Sequence, residues 1–245
     1  MKVSTKLKNK LKLFCFTVLF VFIITYPFFY QHTDDIEREN PHTITKETVK
    51  LYTEEGMRLL SPQAEFIQLK EHYVLQYTMH CGAASAVCVL NTLIPGADFT
   101  QNNLFSAETA SIITQDVVFE EGFTIEELSA LIKILSGLKV SFFHAGWEEN
   151  EYHYTDFLNH LKINRDNPYS KVIVNYSRES VAGTGTNRGH FSPVADYNQS
   201  KNMVLLLEVG GISQSYWIDA HDLFSAMNTI DTSCNMPRGW IIIEK

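Results

Sequence analysis

Gln76-Tyr77-Thr78-Met79-His80-Cys81-Gly82-Ala83-Ala84-Ser85-Ala86-Val87-Cys88-Val89-Leu90-Asn91 reads as a short polar loop running into a helix, with a cysteine where the helix begins. Gly82 to Leu90 are all small or apolar, which suits a helix buried on most sides. A thiol at such a helix start meets unpaired backbone N–H groups and the positive end of the dipole, and both favour the reactive thiolate. A buried structural cysteine is the alternative reading. Nucleophilic chemistry would need a base, an orienting carboxylate and an oxyanion donor from elsewhere in the chain.

The second half supplies the first two. Val172 to Tyr176, His190 to Tyr197 and Met203 to Val209 read as strands, the last apolar on both faces and so central in a sheet. Glu208 interrupts that run, and a buried carboxylate needs a partner. A turn centred near Gln199 or Ser200 puts His190 opposite Glu208 or within two residues of it, on the same face if the register is direct. A solvated histidine beside an incidental glutamate is the bland alternative. Taken with Cys81, the pair has the logic of papain-like enzymes: a thiol attacks, an imidazole moves the proton, and a carboxylate fixes the ring.

The rest of the chain is consistent with one α+β domain, a helical half followed by an antiparallel sheet half. Leu51 to Leu60 reads as a short helix, Phe66 to Gln76 as an extended or irregular approach to Cys81, and Thr100 to Gln115 as helical only in pieces. Thr124 with Glu127 forms a capping box before the stripe Leu128, Leu131, Ile132 and Leu135, and Gly137 stops that helix before a strand at Lys139 to His144. Tyr154 to Lys162 and Asp222 to Ile230 read as helices, Arg178 to Gly189 as a polar loop, and Gly239 to Ile243 as the closing strand.

Lys2, Lys6, Lys8, Lys10 and Lys12 precede a charge-free run from Leu13 to Tyr30, the pattern of a signal peptide or an uncleaved anchor. With no small-residue cleavage site after it, the expectation is an anchor, with residues 1–12 cytoplasmic, 31–50 a tether, and a catalytic domain at 51–245 outside the cytoplasm, in the periplasm if the cell is bacterial. The formal charge is −8 overall and about −13 without those lysines, which argues against nucleic acid as a partner. Cys81, Cys88 and Cys234 make no disulfide framework, and no C-x-x-C pair or histidine spacing spells a metal site.

Cys81-Gly82-Ala83-Ala84-Ser85 through Val89-Leu90-Asn91-Thr92-Leu93 resembles the nucleophile helix of phytochelatin synthases. So do Gly189-His190-Phe191-Ser192-Pro193 with Tyr197-Asn198, and Ala226-Met227-Asn228-Thr229-Ile230-Asp231 with Arg238-Gly239. The likeness runs from about Gly56 to the C-terminus, includes Gly122 to Leu128, and is to the short bacterial members. It implies a papain-like cysteine proteinase fold and acyl transfer on glutathione. Cys81 would attack the Cys–Gly bond, release glycine and hold γ-Glu-Cys as a thioester. His190 would serve as acid and base, Glu208 as the triad acid and Gln76 with the Cys81 N–H as oxyanion donors. Gly82, Gly189, Asp231 and Arg238 would contact substrate. No cofactor is implied for the chemistry. Cadmium or zinc would enter as a glutathione–thiolate complex, and a homodimer is left open.

The chain departs from the family pattern in three places. Glu208 stands where the family has aspartate, Gln76 precedes Cys81 by one residue fewer than usual, and Gly211 with Ile212-Ser213-Gln214-Ser215-Tyr216 replaces an arginine and a Tyr-Pro-Pro. The last of these changes points to weaker second-substrate binding, and so to hydrolysis rather than chain extension; the first two bear on the aim of the triad acid and of the oxyanion donor. A peptidase or amidase on other γ-glutamyl or short peptides, and a weakly active thiol-peptide or metal-binding relative, remain the alternatives.

Overall fold

The computed structural model describes residues 47–62, 65–146, 151–182 and 188–245, all within one unit, Glu37–Lys245. The chain enters at β1 (Thr48–Lys50) and continues through α1 (Glu54–Leu59), α2 (Phe66–Glu71), α3 (Cys81–Leu93), α4 (Gln115–Glu121) and α5 (Ile125–Ser136) to β2 (Lys139–His144). Then follow α6 (Glu151–Asp166), β3 (Ser170–Ser177), α7 (Arg178–Ala182), β4 (Gly189–Asn198), β5 (Met203–Leu206) and β6 (Tyr216–Asp219). The chain closes with α8 (Ala220–Met227), a small ribbon of β7 (Ile230–Asp231) and β8 (Met236–Pro237), and β9 (Gly239–Glu244). Seven of these strands form an antiparallel sheet in the order β1-β6-β5-β4-β3-β9-β2.

Apolar residues on both sides of the central strands require two covering layers. Ile173, Leu205, Ile241 and Ile243 pack with residues of α3 and α5, while Val172, Val174, Val204 and Ile242 pack with residues of α6 and α8. Helix α3 is buried from Gly82 to Leu90, as its uniformly small and apolar sequence demands. Helix α5 carries the expected capping box at Thr124 and Glu127 and ends on Gly137 in the left-handed conformation. A buried ion pair, Lys171 Nζ to Glu65 Oε1 at 2.8 Å, and a bond from Trp217 Nε1 to the Gly56 carbonyl at 3.0 Å tie the N-terminal segment to the sheet.

Several boundaries move. Thr48–Lys50 already pairs with β6, so the domain begins inside the expected tether. The stretch from Phe66 contains the helix α2, because Phe66 and Leu69, three residues apart, both find the core. The strand expected from Met203 to Val209 ends at Leu206. The expected segments 1–12 and 13–30, and 31–46 of the tether, lie outside the described residues. Among the described residues no helix is long and apolar enough to cross a membrane.

Candidate active site

A register shift in β4 sets the site. Asp196 pairs with Leu205 but Val194 pairs with Leu206, so an extra residue sits between them. Asp196 there accepts hydrogen bonds from the Ser61 N–H (2.8 Å) and Oγ (3.0 Å). Continuing the Val194–Leu206 register places Ser192 opposite Glu208, and His190 one diagonal step away. Diagonal neighbours stand roughly 7–8 Å apart, within reach of a long side chain. Glutamate spans the gap: His190 Nε2 lies 2.8 Å from Glu208 Oε1. The length of the glutamate side chain covers the diagonal step.

The carboxylate is well held. The Gly210 N–H donates to Oε1 at 2.9 Å, Ser215 Oγ accepts the Glu208 N–H at 3.1 Å, and an Arg178 guanidinium nitrogen is 3.9 Å away. Burial opposes ionisation, but the charge and hydrogen bond of His190, then Arg178 and the Gly210 N–H, outweigh it and hold the Glu208 pKa down at about 2. With Nε2 engaged by Glu208, a proton carried by this ring to or from a substrate would travel on Nδ1. Tyr176, directly opposite His190 in the sheet, sets its ring edge-on to the imidazole at 5.6 Å and bonds the Tyr216 hydroxyl at 2.9 Å.

Cys81 is the first residue of α3, half-buried, at the mouth of a cleft of about 160 Å³. That cleft brings together Gln76, Cys81, Gly189, His190, Asp231 and Arg238 from five separate segments, and Glu208 stands behind His190. Arg238 is anchored by Nη1 bonds to Thr229 Oγ1 (2.9 Å) and the Ile230 carbonyl (2.7 Å). Gly189 lets Arg238 and Asn175 approach closely, since a Cβ there would lie 3.0 Å from Arg238 Nε and 3.1 Å from Asn175 Oδ1. Gly82, expected at the substrate, is not part of the cleft lining. A Cβ on it would meet Phe123 at 2.9 Å, so it serves close packing of α3.

The sequence reading missed Met79, Asn175 and Arg178, all of which line the cleft. A polar Asn175 amid Val172-Ile173-Val174 was the available signal. Its Oδ1 is buried without a hydrogen-bond partner among the described residues. Met79 has φ 62°, a left-handed conformation uncommon for a non-glycine residue and concentrated at functional sites. A wider groove of about 980 Å³ lies near Tyr197, at the far end of β4, roughly 23 Å along the strand from His190. Its lining contains no cysteine or histidine. Among the described residues no three His, Cys, Asp or Glu side chains are placed to hold a metal ion.

A thiol at a helix start, an imidazole and a buried carboxylate around one cleft in an α+β fold make up the equipment of nucleophilic cysteine chemistry. A family model described as phytochelatin synthase matches residues 40–240. The chain belongs to the phytochelatin synthase family. It is similar to glutathione gamma-glutamylcysteinyltransferase 1 of Lotus japonicus, 31% identical over 175 residues, 67% of this chain and 32% of that protein. Glutathione gamma-glutamylcysteinyltransferase 3 of the same plant is 30% identical over 191 residues, 74% of this chain and 37% of that one. The Schizosaccharomyces pombe protein of that name matches at 33% over 74 residues, 30% of this chain and 17% of the other. The chain spans about a third of the length of the two Lotus relatives.

Proposed function

We propose that this chain is a papain-like cysteine acyltransferase that cleaves the Cys–Gly bond of glutathione, and that water is its preferred acceptor. The observation that carries the proposal is the 2.8 Å His190–Glu208 pair sharing a cleft with Cys81. The names of the relatives supply the substrate.

In this reading the Cys81 thiolate adds to the carbonyl carbon of the Cys–Gly peptide bond. The developing oxyanion takes hydrogen bonds from the Cys81 N–H and the Gln76 carboxamide. His190, holding the thiol proton, delivers it to the glycine nitrogen as the C–N bond breaks. Glycine leaves and γ-Glu-Cys remains as a thioester on Cys81. His190 then removes a proton from water, the hydroxide attacks the thioester, and the thiolate returns. Glu208 keeps the imidazole in one tautomer and stabilises its cation.

Asp231 and Arg238 are suited to the α-amine and α-carboxylate of the γ-glutamyl group, which call for one charge of each sign. The preference for water draws on the residues that follow Glu208. Gly211, in place of the family's arginine, removes a contact for a second peptide. Heavy-metal ions belong to this scheme as glutathione–thiolate complexes, that is, as substrate. The N-terminal lysines and the charge-free run Leu13–Tyr30 support a membrane-anchored enzyme with its cleft outside the cytoplasm.

The test is product analysis with glutathione, with and without cadmium. Free glycine in step with γ-Glu-Cys, a γ-Glu-Cys adduct on Cys81 in the intact mass, and silence from Cys81→Ala are expected. Wild type as silent as Cys81→Ala would overturn the proposal.

A further inference from the structure

Gln76 lies in a stretch, residues 73–77, that belongs to no helix or strand. Its own N–H donates to the Val209 carbonyl at 3.0 Å, one residue beyond Glu208. The residues on either side of it are held by a single side chain. Gln101 Oε1 accepts the Tyr77 N–H at 2.9 Å, and Gln101 Nε2 donates to the Leu75 carbonyl at 2.9 Å. Gln101 is 4% exposed, so its carboxamide is itself buried while it makes these two part-buried bonds. One carboxamide brackets Gln76 as a partner strand would, presenting a donor and an acceptor in one plane.

The mounting of Gln101 leads back to the nucleophile. Two residues before it, Phe99 is bonded in both directions to Asn91, its N–H to Oδ1 at 2.9 Å and its carbonyl to Nδ2 at 3.0 Å. Asn91 is on α3, the helix whose first residue is Cys81. Helix α3 therefore presents the thiol at one end and, through Asn91, Phe99 and Gln101, grips the segment carrying Gln76. Such a brace explains how Gln76 can be aimed at the cleft although it stands only five residues before Cys81 in the sequence.

We propose that Gln101 is a positioning residue that holds Gln76 in place as oxyanion donor. The proposal rests on the acyl-transfer reading above. Removing the carboxamide leaves the Tyr77 N–H and the Leu75 carbonyl without their buried partner, and the segment shifts to recover them. Shifts of ~1 Å at a catalytic donor cost about 100-fold, and loss of one oxyanion donor about 100- to 1,000-fold.

The experiment compares Gln101→Met, Gln101→Glu, Gln76→Ala and Gln76→Ala with Gln101→Met. In Gln101→Met, kcat for glycine release should fall about 10- to 100-fold, with KM changed less than about threefold. Alkylation of Cys81 by iodoacetamide, which passes through no oxyanion, should stay within about twofold of wild type in rate and pH profile. In the Gln76→Ala background the same change should cost under about threefold. Amide exchange at Tyr77 should accelerate whether or not glutathione is the substrate. Gln101→Glu keeps the acceptor for Tyr77 and should fall between wild type and Gln101→Met; it also serves should the methionine variant not fold.

Normal turnover or unchanged Tyr77 exchange in Gln101→Met would refute the proposal. So would alkylation slowed as much as turnover, or full additivity with Gln76→Ala. An impaired Gln76→Ala beside a normal Gln101→Met sinks the brace alone. A normal Gln76→Ala sinks the oxyanion role as well.

Discussion

Shortening Glu208 by one methylene tests the diagonal geometry directly. Its Oε1 is 2.8 Å from His190 Nε2 and 2.9 Å from the Gly210 nitrogen. Glu208→Asp withdraws the carboxyl by roughly 1.5 Å, one C–C bond, to about 4.3 Å from the ring, beyond hydrogen-bond range. The backbone cannot follow, because the Glu208 N–H is fixed to Ser215 Oγ at 3.1 Å and the Leu207 N–H to the Pro193 carbonyl at 2.9 Å. The imidazole then loses its partner, and kcat/KM for glycine release from glutathione should fall about 100-fold, ~2.7 kcal/mol in the barrier. Glu208→Gln separates charge from distance. It keeps the reach, loses the charge that stabilises the imidazolium, and should cost about 1,000-fold or more, in line with the amide replacement in serine triads. Initial rates of glycine release over a range of pH, with a thermal melt of each variant, give the comparison. An aspartate variant within twofold of wild type would falsify the diagonal-reach argument.

Three further outcomes follow from the packing and electrostatics of the structure. Gly82→Ala places a methyl 2.9 Å from Phe123 and 3.3 Å from Leu128, so denaturant unfolding should show a loss of about 1–3 kcal/mol, with raised KM as Phe123 moves into the cleft. In the buried Glu65–Lys171 pair, burial drives the Glu65 pKa up to about 7 against the lowering pull of Lys171. Glu65→Leu or Lys171→Met alone should cost about 3–5 kcal/mol in urea unfolding, and the double replacement much less than their sum. Glu208 has its pKa lowered from 4.5 to about 2, so its contribution is complete above pH 4.5 and lost as pH falls towards 2. Wild type should lose roughly 3 kcal/mol more than Glu208→Gln across that window in acid unfolding curves.

What could be read from the chain alone is what neighbours in sequence decide. The buried helix from Cys81, the Thr124 capping box and the hairpin bearing His190 and Glu208 all follow from periodicity, caps and turn position. The features carried by distant contacts stayed hidden. Strand β1 has three residues and exists because β6 accepts it, and α2 is a helix because Phe66 and Leu69 have a core to enter. The bulge before Asp196 is anchored by Ser61, 135 residues away, and it sets the diagonal that makes glutamate the fitting length. The aim of Gln76 depends on Gln101 and Val209, and the cleft floor depends on Gly189, Asn175 and Arg238 converging from three strands or loops. The sequence by itself determined which residue types could do the chemistry and that two of them would meet across a hairpin. Only the tertiary structure decided their distances, because hydrogen-bond reach is settled within an ångström by contacts more than a hundred residues apart.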